Sequence, residues 1–295
     1  MFGLYFGDYL LEKEKISRLQ LKEVMTLQQT SRAKLGLIAV AEKLLTPKQA
    51  EELNELQKHK DSRFGDIAIE KGYLLKEEVN YLLNLQGNSY LKFIQTLTER
   101  NLMTMEQIES SLEEYKREYG FSDTELDALK SGDIDRIIPV FVDTNVPFVG
   151  ECITLVIRNI VRFINNNIKL KKAYTVKEFA FSSIAYQQLI GSHELFVGFA
   201  GVDDALLEIA SPFAKEDFEA LNEDAFDSIC EFINCSNGLY ASKLSTEDID
   251  IDMTPPNYDQ NKSLTSDGEI YVVPITINEK QSNLLVIVDH RVEIN

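Results

Sequence analysis

Asp227, Glu231 and Asn234 stand at helical spacing near the end of a 295-residue chain. Carboxylates accept hydrogen bonds and pair with cations, while an asparagine amide both donates and accepts. Spacings of three and four residues place all three side chains along one face of a helix. Other reactive groups are sparse. The three cysteines (Cys152, Cys230, Cys235) are too few and too irregular for a disulfide framework or a zinc site. The three histidines (His59, His193, His290) sit near neither one another nor a cysteine, so a metal centre or a histidine-based triad has little to work with. The run Asp248-Ile249-Asp250-Ile251-Asp252 lacks the turn glycine and terminal glutamate of a calcium loop, and its period of two reads as a half-exposed strand. No metal is expected.

The element that must carry these side chains is a helix over Asn222–Lys243. Asn222 suits its N-cap, and Phe226, Ile229, Cys230 and Ile233 form one apolar stripe. Asp227, Glu231 and Asn234 line the adjoining face. Gly238, with Ala241 a turn later, leaves little side chain beyond Asn234, where a partner's surface can approach. An acidic helix also shows such a face to plain solvent, and spacing alone leaves both readings open. Around this helix the pattern predicts a long helix over Phe148–Asn166 opened by Pro147 and a helix over Asp203–Phe213. Strands are expected near Ala173–Phe181, Leu195–Ala200, Ile249–Met253, Glu269–Ile277 and Asn283–Asp289. Without regular βαβ alternation, the class is α+β.

The first 119 residues follow a different rule. Gly7, Gly36 and Gly65 stand 29 residues apart, as do Gln28, Gln57 and Gln86, and a fourth copy continues the register without the glycine, through Lys92-Phe93-Ile94. Ser17, Thr46 and Thr104 each precede a glutamine by three residues, the pattern of a capping box; Leu75 replaces the hydroxyl in the third copy but Glu78 remains. Pro47 fits the first position of its helix. Each copy therefore predicts a short helix, a tight turn and a longer helix, and such repeats stack to bury a shared core whether or not they bind anything.

Charge divides the chain at the same place. Residues 1–119 carry 17 basic and 19 acidic side chains, whereas residues 120–295 carry 13 and 29. The expected organisation is a helical repeat domain over 1–119, a linker over 120–135 rich in Gly, Ser and Asp, and a second domain over 136–295. The net charge of −18 disfavours nucleic-acid polymers and anionic membranes as partners. The most apolar stretch, Val140 to Ile164, is broken by Asp143, Glu151 and Arg158, so no membrane insertion is expected. With no signal-like N-terminus and few cysteines, a cytoplasmic location is expected.

Residues 136–295 resemble the CheC/CheX/FliY family of chemotaxis phosphatases. The family motif of Asp or Ser, three residues, Glu, two residues and Asn reads here Asp227-Ser228-Ile229-Cys230-Glu231-Phe232-Ile233-Asn234, with Pro255 and Pro256 some twenty residues on. Leu195–Gly201 and Asp203-Asp204-Ala205-Leu206 match the preceding strand and helix. The resemblance implies hydrolysis of the phosphoaspartate of a response-regulator receiver domain. Asn234 would orient the attacking water, Glu231 would dock against a receiver lysine, and Asp227 and Gly238 would have supporting roles. The receiver would bring its own Mg2+, so no cofactor is expected. Some members carry a second motif on their first helix; here Leu155–Asn159 has Val156 where the glutamate should stand, which implies one site. The family also implies a possible homodimer. A non-catalytic adaptor that binds a response regulator is the alternative.

The repeats resemble the MshEN-type domain at the N-terminus of type II secretion and pilus ATPases. The third copy matches best, through Arg63, Phe64, Gly65, Ile69, Gly72, Tyr73, Leu74, Val79, Leu83 and Gln86. In that family two adjacent motifs hold cyclic di-GMP, which here implies Lys34, Gly36, Gln57, Arg63, Gly65 and Gln86. Lys34 and Tyr5 stand where other copies would have the arginine, and Lys43 and Glu14 stand at the second glycine. A lysine keeps the charge but not the planar fork that reads a guanine edge. The alternative is a helical scaffold with no ligand.

Overall fold

The computed structural model describes residues 2–30, 32–60, 62–146 and 148–295. It divides into two units, Met1–Gly132 and Asp133–Asn295.

The first unit is all helix. Its first four pairs are α1 (Phe2–Glu12) with α2 (Arg18–Thr30), α3 (Leu35–Ala41) with α4 (Pro47–His59), α5 (Phe64–Glu70) with α6 (Lys76–Asn84), and α7 (Ser89–Glu99) with α8 (Met105–Tyr119). Each pair is one 29-residue copy. The hydroxyls of Thr46 and Thr104 accept from the backbone of Gln49 and Gln107, whose side chains return the bond, and Ser17 and Gln20 do the same. At Leu75 only the Glu78 half of the exchange remains, at 2.7 Å. The turn between the helices of each copy needs a left-handed residue, and the four occupants are Glu14, Lys43, Gly72 and Asn101, with φ between 52° and 69°. The replaced glycines thus keep the glycine conformation. Gly7, Gly36 and Gly65 serve packing: a Cβ on Gly65 would lie 2.7 Å from Val79 Cγ1, and one on Gly7 would lie 2.5 Å from Leu21 Cδ1.

The expected linker over 120–135 is not one. Residues Asp123–Ser131 form a helix, α9, with Leu126, Ala128 and Leu129 buried. Asn88 Nδ2 donates to the carbonyls of Lys130 and Ser131 at 2.9 and 3.2 Å, which ties α9 to the start of α7. The Gly, Ser and Asp residues that suggested a loop are its boundaries: Ser122 and Glu125 form a capping box, and Gly120 and Gly132 are both left-handed. The first unit therefore ends at Gly132.

The second unit has the α+β class expected. It begins with α10 (Ile134–Phe141) and α11 (Val149–Phe163); Pro147, expected to open α11, lies outside the described residues. Then come β1 (Ile168–Leu170), β2 (Tyr174–Gly191), β3 (Leu195–Gly201), α12 (Asp203–Ala214), α13 (Glu223–Ser245), β4 (Ile251–Met253), β5 (Asn257–Ile277), β6 (Lys280–Val288) and β7 (Val292–Ile294). The antiparallel sheet runs β1-β5-β6-β3-β2-β4, with β7 on β5. Strands β2 and β5 reach far beyond their expected ends. The added length of β5, with Asp259, Gln260, Lys262 and Ser263, is too polar to show an apolar alternation, and it is held by pairing with β2.

That pairing closes β2, β3, β6 and β5 into a ring. Its interior is filled by Phe181, Ile184, Phe196, Leu264, Ile270, Val272, Leu285 and Ile287. The opposite face of β2 and its neighbours, bearing Ala185, Leu189, Val197, Phe199 and Val286, is equally dry. Helices α11, α12 and α13 cover it. At ~25 cal/mol per Å² of apolar surface removed from water, these two layers are the main source of the fold's stability. No helix among the described residues is long and apolar enough to cross a membrane.

Candidate functional site

Helix α13 starts at Asn222, whose side chain accepts from Ala225 N at 2.9 Å. Phe226, Ile229, Cys230 and Ile233 are buried as the stripe requires, and Phe226 stacks on Tyr258 with ring centroids 4.2 Å apart. Helical rotation then turns Asp227 and Glu231 outward, both exposed, and leaves Asn234 half-buried at the edge nearest the sheet. Asn234 Nδ2 lies 3.5 Å from Glu231 Oε2. The Cys235 thiol donates weakly to Glu231 Oε1, also at 3.5 Å. Long contacts of this kind hold the carboxylate loosely, so it remains available to a stronger partner. Asp227 makes no hydrogen bond among the described residues. Gly238 is partly covered: Met253 Cε would be 3.6 Å from a Cβ there, so the glycine leaves only a shallow step.

Asn234 itself is fixed from below. Gln187, on β2, donates through Nε2 to Asn234 Oδ1 at 2.9 Å and to the Thr254 carbonyl at 2.7 Å. Its Oε1 accepts from Asn237 Nδ2 at 2.9 Å. Thr254 is anchored in turn, since its N–H and hydroxyl both bond the Gln188 carbonyl, at 3.0 and 2.9 Å. Pro255, which follows, biases Thr254 towards extended backbone. This gives the downstream prolines a structural role beside the site. Asn237 Oδ1 is buried with no hydrogen-bond partner among the described residues, a cost of about 1–3 kcal/mol that the network carries. Sequence reasoning missed Gln187, Asn237 and Thr254. The signal was there in part: Gln187 is the polar member of the inward series Ala185, Gln187, Leu189.

The thiols of the second unit are poor nucleophiles at neutral pH. Burial, with Asp227 nearby, pushes Cys230 up to about 11, and burial pushes Cys152 up to about 12. Cys235 is raised by partial burial and by its bond to Glu231. Each favours the protonated form at neutral pH.

In the first unit, Lys34, Gly36, Gln57, Arg63, Gly65 and Gln86 all line one cavity of about 1050 Å³ between the second and third copies. Lys58 and Lys76 add to Lys34 and Arg63, against Asp66 alone on the acidic side, so the wall is cationic. The two copies meet reciprocally. Gln57 Nε2 donates to the Ser62 carbonyl at 3.3 Å, and Gln86 Nε2 donates to the Ala33 carbonyl at 3.0 Å. Ala33 and Ser62 are themselves one repeat apart, so the cavity has an approximate two-fold relation. Lys34 is drawn into an ion pair with Glu99 at 2.6 Å, whereas Arg63 makes none among the described residues.

Comparison with known proteins bears on the second unit. Residues 183–277, from the middle of β2 to the end of β5, match the model of the family described as chemotaxis phosphatase CheX. No curated protein matches the chain. Among solved structures, a CheC-like superfamily protein from Shewanella sp. PV-4 is similar at 19% identity, with 49% of this chain and 99% of that one covered and a TM-score of 0.43. Chemotaxis protein CheX from Vibrio vulnificus gives 18% identity, 48% and 99% coverage and a TM-score of 0.43. The CheX-CheY-BeF3-Mg2+ complex from Borrelia burgdorferi gives 15% identity, 49% and 99% coverage and a TM-score of 0.39. Gln187, Asp227, Glu231, Asn234 and Thr254 all lie inside the segment of the second unit that is similar to this family.

Proposed function

We propose that the second unit hydrolyses the phosphoaspartate of a response-regulator receiver domain. The observation that carries the reading is the Asn234 amide, held in one orientation beside the exposed Glu231 within the segment that matches a phosphatase family. An acyl phosphate is already reactive, and a receiver brings its own metal, so little remains beyond placing a water in line with phosphorus. Asn234 Nδ2 donates to one lone pair of that water, and the other lone pair attacks. The new P–O bond forms from the water oxygen, the bond to the aspartate oxygen breaks, and inorganic phosphate and a free carboxylate result. Glu231 docks the helix by pairing with a cationic side chain of the receiver. Phosphate release from a phosphorylated receiver of the same organism, with and without the full chain, tests this. Acceleration supports it; binding without acceleration would make the protein an adaptor.

A second reading concerns the first unit. The cationic cavity and its two-fold relation suit a two-fold, anionic ligand, and cyclic di-GMP has that chemistry. On this reading Arg63 and Lys34 meet phosphate or guanine, with Gln57 and Gln86 beside them. Calorimetry of the full chain with cyclic di-GMP tests it, and an absence of heat that persists at millimolar nucleotide returns the unit to a helical scaffold.

A further inference from the structure

We propose that Gln187 is a positioning residue that decides which end of the Asn234 amide faces the partner. The inference rests on the reading of Asn234 as the water-orienting group. An asparagine amide has nearly the same shape either way round, so packing alone does not choose between its two ends. Hydrogen bonding does. The Thr254 carbonyl can only accept, so the Gln187 atom 2.7 Å from it must be Nε2. That leaves Oε1 to face the amide of Asn237, which is wholly buried, and puts the second Nε2 hydrogen on Asn234. The Asn234 atom that receives it, 2.9 Å away, must be Oδ1. Nδ2 is thereby turned to the outer side, towards Glu231.

The chain of dictation thus begins at a backbone carbonyl and ends at the half-buried amide of Asn234. Its start is rigid, because Thr254 is tied to Gln188 by two bonds. Its middle is shielded from water, since Gln187 is 1% exposed. A solvent-exposed asparagine without this support would sample both orientations, and only one presents a donor to the lone pair of a bound water.

Gln187→Glu and Gln187→Met in the full chain separate positioning from mere structure. A carboxylate at this point has no N–H to offer, so Asn234 is expected to reverse and present Oδ1 outward. Misorientation of this kind is expected to lower kcat on the order of 100-fold with KM within about twofold, because Glu231 is untouched. The methionine variant, which favours neither end, is expected to fall between. The side-chain amide resonances of Asn234, assigned by their loss in Asn234→Ala, supply a readout independent of activity and should shift in both variants. Unchanged amide resonances together with unchanged kcat in a folded variant would overturn the inference. If Gln187→Glu fails to fold, the methionine variant alone decides. If the unmodified protein releases no phosphate at all, the phosphatase reading falls, and the amide resonances still judge the orientation.

Discussion

Asn159 of α11 donates to Ser236 Oγ of α13 at 3.1 Å in the core between the two helices. Asn159 is 5% exposed and Val156, one turn before it, is 1% exposed. The face of α11 that a second motif would occupy is therefore spent on packing. The asparagine there satisfies a buried hydroxyl instead of meeting a partner, and of these two helices only α13 carries the Glu and Asn pair.

Asn234→Ala is expected to abolish acceleration of phosphoaspartate hydrolysis while leaving receiver affinity within about twofold, since the amide acts on the water. Gln187 keeps its bond to Thr254 in that variant, so the loss of stability should stay near ~1 kcal/mol in urea unfolding. Glu231→Ala should instead raise KM about tenfold and lower activity with it, because it removes a charge pair made on docking. Full activity in Asn234→Ala would end the phosphatase assignment.

The left-handed turns of the repeat offer a stability test. Lys43 and Glu14 hold φ of 59° and 53° where the third copy has Gly72 at 69°. A non-glycine residue in this region costs about 1–2 kcal/mol, partly offset by the greater freedom that glycine has when unfolded. Lys43→Gly is expected to stabilise the first unit by about 0.5–1 kcal/mol, and Gly72→Ala to destabilise it by a similar amount. Urea midpoints moving in the reverse directions would show the turns to be unstrained.

Local rules explain what could be read in the sequence. The stripe Phe226–Ile233 and the Asn222 cap on α13, and the Thr46 and Thr104 boxes of the repeat, depend on residues within a turn or two, so spacing reveals them. Gln187 lies 47 residues before Asn234, and only antiparallel pairing of β2 and the return through β4 bring it and Thr254 to the amide. The first half of β5 was hidden for a related reason: it is held by pairing with β2 and needs no apolar alternation of its own. Helix α9 was obscured because its caps are loop-forming residue types, while its burial rests on just Leu126, Ala128 and Leu129.

Limited proteolysis should respect the boundary at Gly132. Residues 123–131 are helical, anchored by Asn88, whereas Gly132, Asp133, Asp135 and Arg136 are exposed. The first cut is expected within 132–136 and should leave two folded pieces. Asn88→Ala, which frees the last carbonyls of α9, should open new cuts inside 123–131. Early cleavage within 120–130 of the unmodified chain would restore the linker reading of that segment.

The thiols give a footprint of the docking face. Cys152 and Cys230 are buried, and Cys235 alone is exposed, one turn from Glu231 on the outer side of α13. Iodoacetamide should therefore label one thiol in the native protein and three in urea, as counted by mass spectrometry. Only the thiolate reacts, and the raised Cys235 value means less thiolate at a given pH than a free cysteine has, so labelling should be slow near pH 7 and climb as pH rises. Glu231→Gln removes the carboxylate that both accepts the S–H and repels the thiolate, and it should speed labelling severalfold. If α13 meets a receiver through Glu231 and Asn234, a receiver activated with beryllofluoride should protect Cys235 at saturating concentration, while an excess of unrelated protein should not. Undiminished labelling in a complex shown by sedimentation to be fully formed would move the docking surface away from α13, and Glu231 would lose its assigned role.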